Sequence, residues 1–328
     1  MNLLRQLQHK IPVTILTGFL GAGKTTLLNR ILNEDSQQKT AVIVNEYGDL
    51  SIDSQLITDT KEEIIEINSG CICCNVRGDL ISILSSMLRQ QLNGEVQFDR
   101  VIIETTGLAN PAPVVQTFLM DEAMSRWFEL DSVCTVLDSK HLPQHIDSEE
   151  LQEQIAFADV LIFNKTDLVN KRELKKLQTR ITQMNSNANV IHSINCDINT
   201  SDIIGIQSFD LGHKLQIHPN LLTDEHHHHH DTVNSFVFTD DRPLNLDRVN
   251  RWFSYLVQIK GESLYRYKGI LHIDGMDERV VFQGVHMLFS GTKDRTWLPA
   301  ETKQSEIVFI GKELDKYELE KGFYACLQ

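Results

Sequence analysis

Short apolar runs rich in β-branched residues recur along the first two thirds of the chain, at 13–17, 40–45, 101–104, 132–138, 160–164 and 189–192. Between them lie stretches of helical period at 25–32, 79–92, 149–158 and 171–184. Strands that are apolar throughout are buried on both faces, and strands separated by helices are joined by crossovers. The pattern predicts an α/β domain with a mostly parallel sheet covered by helices on both faces. It lapses around 205–231 into polar, His-rich sequence. From Thr232 the order changes: a strand at 235–239, a helix at 246–259, strands near 264–273 and 279–288, a strand at 306–310, and a last helix from Glu313. That order predicts a smaller C-terminal α+β domain with an antiparallel sheet. The expected division is a first domain at 1–208, a His-rich linker at 209–231 and a second domain at 232–328.

Composition narrows the class without altering this architecture. Acidic residues outnumber basic ones by 45 to 31, a formal charge of −14 over 328 residues. A net acidic surface does not suit a phosphate backbone, so no nucleic-acid partner is expected. No apolar run approaches the roughly 18 residues that span a bilayer, and the first residues lack a secretory hydrophobic stretch. No membrane partner and a cytoplasmic location are therefore expected. Six cysteines, three of them in Cys71-Ile72-Cys73-Cys74, do not make the pattern of a disulfide framework. They read as a thiol or metal site.

Candidate chemistry begins where the first strand ends. Residues 13–17 run into Gly18-Phe19-Leu20-Gly21-Ala22-Gly23-Lys24-Thr25, with Thr26 next. Glycine-rich chain between a strand and a helix lets backbone N–H groups close around phosphates, and the helix N-terminus adds positive potential. Gly18, Gly21, Ala22, Gly23 and Thr26 belong to this cradle. Lys24 is expected to reach the β- and γ-phosphates, and the Thr25 hydroxyl to bind Mg²⁺. A second apolar strand ends in Glu104, followed by Thr105-Thr106-Gly107. That puts a carboxylate near Mg²⁺ and a backbone amide, at Gly107, near the γ-phosphate. Asp49 is a further candidate for the Mg²⁺ shell.

After the strand at 160–164 the chain reads Asn164-Lys165-Thr166-Asp167. A carboxylate at Asp167 can accept hydrogens from both N1 and N2 of guanine, a pattern adenine does not offer. Asn164 can serve the other edge of the base, and the Lys165 stem can cover its face. The three segments together predict a P-loop NTPase that takes GTP and GDP. No side chain reads as a general base for water. Slow hydrolysis is expected from positioning and charge neutralisation by Lys24, Thr25, Glu104, Gly107 and Mg²⁺.

The segments GFLGAGKTTLLN, VNEYGDLSIDSQLI, NSGCICC, IIETTGLANP and NKTDLV resemble those of the CobW/YjiA family of P-loop GTPases, nearest its YjiA branch. Tyr265-Arg266-Tyr267-Lys268-Gly269, Phe282-Gln283-Gly284-Val285-His286 and residues 307–311 resemble that family's C-terminal domain. The resemblance covers almost the whole chain. It implies a GTPase of transition-metal homeostasis, a metallochaperone most often for zinc and in some members for cobalt. One departure is Val44, which precedes Asn45-Glu46 where YjiA-type chains often carry an acid.

Cys71, Cys73 and Cys74 offer three thiolates within four residues, suited to Zn²⁺ or Cu(I), with Co²⁺ an alternative. Three ligands leave an open shell, which suits a metal that must be handed on. Asp224-Glu225 precedes His226, His227, His228, His229 and His230. Imidazoles beside carboxylates bind Zn²⁺, Ni²⁺ or Co²⁺ without a fixed fold, so the run reads as a metal-gathering tether. Cys134 and Cys326 read as core, and by the resemblance Cys196 lies in the last guanine-contacting loop. The expected function couples GTP binding and hydrolysis to binding and delivery of a transition metal, zinc first, to a client metalloprotein. Two other readings stay open: a zinc buffer or sensor in which GTP hydrolysis is incidental, and a thiol redox regulator. Homo-oligomerisation is also left open.

Overall fold

The structure is a computed structural model that describes residues 10–34, 38–45, 64–67, 76–208 and 233–328. The described residues form two compact units, one within 10–208 and one within 233–328, with 155–157 and 178–188 grouped with the second.

The first unit contains seven strands: β1 (Ile11–Thr17), β2 (Thr40–Asn45), β3 (Ile64–Ile67), β4 (Arg100–Glu104), β5 (Phe128–Asp138), β6 (Val160–Asn164) and β7 (Asn189–His192). They form one sheet in the order β3-β2-β4-β1-β5-β6-β7. Every pairing is parallel. β4 and β6 are buried at every position, inward and outward alike, as strands covered on both faces must be. The intervening helices are α1 (Lys24–Glu34), α2 (Val76–Asn93), α3 (Ala112–Met120), α4 (Glu122–Trp127), α5 (Leu142–His145), α6 (Glu149–Phe157) and α7 (Lys171–Met184). α1 packs through Leu27, Leu28 and Ile31 into a core shared with Leu16, Ile102, Val136 and Ile162. Six of the strands match the apolar runs. β3 is a seventh, and α3, α4 and α5 are additional helices.

Parallel strands end on one edge of a sheet, and that edge carries the chemistry. The register sets Leu16 beside Glu104, Thr17 beside Thr135, and Asp138 beside Asn164. Polar residues at the ends of four adjacent strands, β4, β1, β5 and β6, thereby form one row along that edge.

The second unit is the antiparallel α+β module. Its strands are β8 (Val233–Asp240), β9 (Leu264–Leu271), β10 (Glu278–Val285), β11 (Leu288–Thr296) and β12 (Ser305–Lys312), in the order β11-β10-β9-β12-β8. Helices α8 (Leu246–Lys260) and α9 (Lys316–Ala325) accompany them. Asn245 caps α8 by accepting from the Arg248 amide, and Asp315 caps α9 by accepting from Tyr317 and Glu318. α8 buries Val249, Phe253 and Leu256, one helical face. The single strand expected at 279–288 is a hairpin instead. The chain turns at His286, in the left-handed region at φ 52°, and returns as β11. Among the described residues no helix is long and apolar enough to cross a membrane.

Candidate functional site

The phosphate loop leaves β1 at Gly18, whose φ of 138° an L side chain rarely adopts. A Cβ there would also lie 2.2 Å from the Val136 carbonyl oxygen, so only glycine fits. Gly23, at φ 114°, would drive a Cβ to 2.6 Å from the Asn164 amide nitrogen. Gly18 permits close approach to the backbone of β5, and Gly23 to the side chains of Asn164 and Cys196. Lys24 is buried, and its Nζ donates to the carbonyls of Gly18 at 3.0 Å and Phe19 at 3.4 Å. Its positive charge is thus fixed inside the loop. Ala22 is buried, whereas Gly21 and Thr26 face outward.

Beside the loop, Thr25 Oγ1 donates to Glu104 Oε1 at 3.1 Å. Glu104 is only 3 % exposed at the end of β4. A buried carboxylate is costly without a cation or donors, and two oxygens from separate elements in one place fit the hard-oxygen preference of Mg²⁺. Gly107 is buried, and a Cβ on it would lie 2.6 Å from the Leu20 backbone nitrogen. The segment before it is pegged to β1. Thr105 donates its amide to Leu16 O at 2.9 Å and its hydroxyl to Thr17 Oγ1 at 2.9 Å.

At the base end Asn164 is a buried hub. Its Nδ2 donates to Ala22 O at 2.9 Å, and its Oδ1 accepts from Cys196 N at 2.9 Å and Ser193 Oγ at 3.2 Å. The sequence reading gave this amide to an edge of the base; the structure engages it in tying the phosphate loop to the loop after β7. Lys165 adopts the left-handed region at φ 59°, with Nζ on Gly21 O at 2.8 Å and Asp138 Oδ2 at 2.7 Å. Asp167 is exposed in a short 3₁₀ turn at Thr166–Leu168, and its carboxylate takes no hydrogen bond among the described residues. Asn195 and Cys196 are both left-handed, at φ 52° and 56°, a conformation that non-glycine residues keep only where their surroundings hold it. The Cys196 thiol donates to Gly23 O at 3.3 Å, and burial pushes its pKa up to about 11. It is inert as a thiolate at neutral pH and serves as a joint between the two loops.

The sequence motifs do not include Asp138. Burial raises its pKa, but hydrogen bonds from Lys165 and His141 outweigh that and hold the carboxyl below its ordinary 3.8. It stays ionised beside the Lys165 ammonium. Its signal in the sequence is the one that found Glu104, an acid closing an apolar strand. Next to it a cavity of about 370 Å³ opens between the phosphate loop and α5, with Phe19 stacked on His145 at 4.3 Å.

The structure therefore brings together Gly18, Gly21, Ala22, Gly23, Lys24, Thr25, Glu104, Gly107, Asn164 and Lys165, with Thr26 and Asp167 at the margins. Asp49, Cys71, Cys73, Cys74 and the five histidines His226 to His230 lie outside the described residues. Among the described residues no cluster of three or more His, Cys, Asp or Glu could hold a metal ion. Cys134 and Cys326 are buried core residues, as expected.

Comparison with known proteins gives the frame a lineage. Residues 12–192 match the model of the CobW/HypB/UreG nucleotide-binding domain, and residues 233–327 that of the cobalamin synthesis protein cobW C-terminal domain. The zinc chaperone YjiA of Escherichia coli is 37% identical over 321 residues, 96% of this chain and 98% of that one. The zinc-regulated GTPase metalloprotein activator 1 of Schizosaccharomyces pombe is 32% identical, over 93% of this chain and 83% of that one. Among solved structures, the Zn(II)-bound YjiA GTPase from E. coli matches with a TM-score of 0.77 at 34% identity, over 98% of this chain and 100% of that chain. Two family domains in tandem and similarity along nearly the full length agree with the site's own geometry: the chain belongs to the CobW/HypB/UreG family of nucleotide-binding proteins and carries the cobW C-terminal domain.

Proposed function

We propose that the chain is a Mg²⁺-dependent GTPase whose nucleotide state governs the binding of a transition metal, zinc first, and its delivery to a client metalloprotein. The observation that carries the GTPase half is the joined pair of loops. Asn164 bridges Ala22 of the phosphate loop to Cys196 and Ser193 of the loop after β7, so phosphate and base are read by one frame. Asp167 at its margin selects guanine through the N1 and N2 hydrogens.

Thr25 and Glu104 would hold Mg²⁺, which when bound neutralises charge on the β- and γ-phosphate oxygens. Lys24 adds the second positive charge, and the backbone near Gly107 reads the γ-phosphate. No protein side chain has to take a proton from water in this scheme, which fits a slow intrinsic rate.

Zinc is cargo in this account. Cys71, Cys73 and Cys74 supply thiolates on the chain between β3 and α2, so the metal ligands fall between two elements of the nucleotide domain. The names of the E. coli and S. pombe relatives, a zinc chaperone and a zinc-regulated GTPase metalloprotein activator, support zinc over cobalt. The histidine run would gather metal at low affinity.

Turnover of GTP and ATP by the full chain with Mg²⁺ tests the nucleotide half. GTP should be preferred in kcat/KM by at least about a hundredfold, because a site built to pair with N1 and N2 hydrogens rejects a base lacking them. Comparable use of both nucleotides contradicts the assignment.

A further inference from the structure

Gln154 lies on α6, fully buried, and takes no part in the motifs described above. Its Nε2 donates to the carbonyl oxygens of Gly107 and Ala109, both at 3.2 Å. Two carbonyls can only accept, so the amide must turn its nitrogen toward them. The backbone carbonyl of the same residue accepts from Thr135 Oγ1 of β5 at 2.7 Å. The helix is thereby anchored to the sheet at the very residue whose side chain grips the loop. That loop touches the phosphate loop as well, through Gly107 against Leu20.

A trans peptide sets its carbonyl and its N–H on opposite sides. Holding the Gly107 carbonyl at Gln154 therefore turns the Leu108 N–H away from α6. The remaining polar atom of Gln154, Oε1, is buried with no hydrogen-bond partner among the described residues. Buried acceptors seldom go unpaired. An unpaired acceptor beside a loop with its own N–H groups offers that loop a second seat.

We propose that Gln154 is a positioning residue for the γ-phosphate loop: its Nε2 holds Gly107 and Ala109 in one arrangement, and its Oε1 receives a loop N–H in another. The proposal rests on the GTPase reading. It makes the loop's two arrangements, and with them the distinction between GTP and GDP, depend on one amide.

Gln154→Leu removes both functions, and Gln154→Glu keeps the shape and the acceptor but cannot donate. In the full chain both variants should lower kcat for GTP by about tenfold, with GDP affinity within about twofold of wild type. The preference for a non-hydrolysable GTP analogue over GDP should narrow in step. Unchanged kcat in both variants overturns the proposal. So does a parallel loss of kcat, GDP affinity and thermal stability, which would mark a residue that only holds the fold. If the Leu variant fails to fold, the Glu variant decides, and failure of both to bind GDP counts against the proposal. A wild-type control that turns over no GTP sinks the GTPase reading itself, whereas active wild type with equally active variants sinks only the role of Gln154.

Discussion

In the first unit the ends of the central strands bury Thr17, Glu104, Thr105, Asp138 and Asn164. The second unit buries rings at the middle of its sheet: Phe253 stacks on Phe282 at 4.8 Å, Tyr267 at 5.7 Å and Phe309 at 6.0 Å. Buried polar groups cost free energy unless each finds a partner, whereas buried rings stabilise without needing one. The first unit keeps its polar edge because the groups hold one another, and this leaves Lys24 and the Thr25–Glu104 pair where the proposed GTPase would need them for phosphate and Mg²⁺. The second buries the centre of its polar network, Arg279, against the partly exposed Asp294 and Glu301, and Glu301 also meets Arg295. One unit is shaped by what it binds, the other by what it packs.

Substitutions should separate these two roles. The largest effect is expected from Lys24→Ala, which removes the charge inside the phosphate loop. GTP turnover should fall by at least about a hundredfold, while the thermal transition of the chain moves little. A substantial loss of stability with turnover intact would invert the comparison. Asp167→Asn comes next. GTP affinity should drop by about a hundredfold and xanthosine triphosphate should gain, because the amide prefers its C2 oxygen. Stability should be unchanged, since Asp167 is exposed with no hydrogen bond among the described residues.

Phe253→Ala addresses the other side. Removing a ring stacked on four others should cost about 3–5 kcal/mol in denaturant unfolding, with GTP turnover by the folded protein retained. Loss of turnover in proportion to stability would show that the rings serve the site too.

The smallest effect concerns pH. A side-chain hydrogen bond from Arg295, with the Leu298 amide and the Arg279 charge, lowers the Glu301 pKa from 4.5 to about 2. A carboxyl depressed on folding contributes stability above its unfolded pKa and loses it as pH falls through the folded one. Thermal stability should therefore decline between about pH 4.5 and 2, and Glu301→Gln should flatten that part of the profile. The effect is modest because Glu301 is partly solvated and its pairs are screened. An unchanged acid profile in the variant would remove the network from the account.

The legible parts of the sequence were those where one physical requirement dominates. Apolar strands between helices gave the parallel sheet, and glycines before Lys24 gave the phosphate loop. β11 was missed because Leu288–Thr296 is mostly exposed and polar, an edge strand with no buried face to impose alternation. β3 was missed although Ile64–Ile67 is no shorter than β7, which the pattern found, and length does not separate them. Asp138 and Gln154 were missed for a different reason. Each acts on a residue far away in sequence, Asp138 on Lys165 and Gln154 on Gly107, and only the register and the helix placement reveal those partners. Asn164 was found, but its role inside the frame depends on Ala22 and Cys196, which a motif does not show.

The central claim is that nucleotide state controls metal affinity, and competition titration of Zn²⁺ against a chelating indicator tests it most directly. The full chain would be loaded with Mg²⁺ and either GDP or a non-hydrolysable GTP analogue. Coupling of the usual size predicts tighter Zn²⁺ binding in the GTP state by roughly 5- to 150-fold. The thiolates must be deprotonated to bind, so both affinities should fall as pH drops. Cys73→Ala should abolish the difference while leaving GTP binding by Lys24 and Asp167 in place. Equal Zn²⁺ affinities in the two nucleotide states would contradict the account and leave a metal-binding protein whose GTP hydrolysis is incidental.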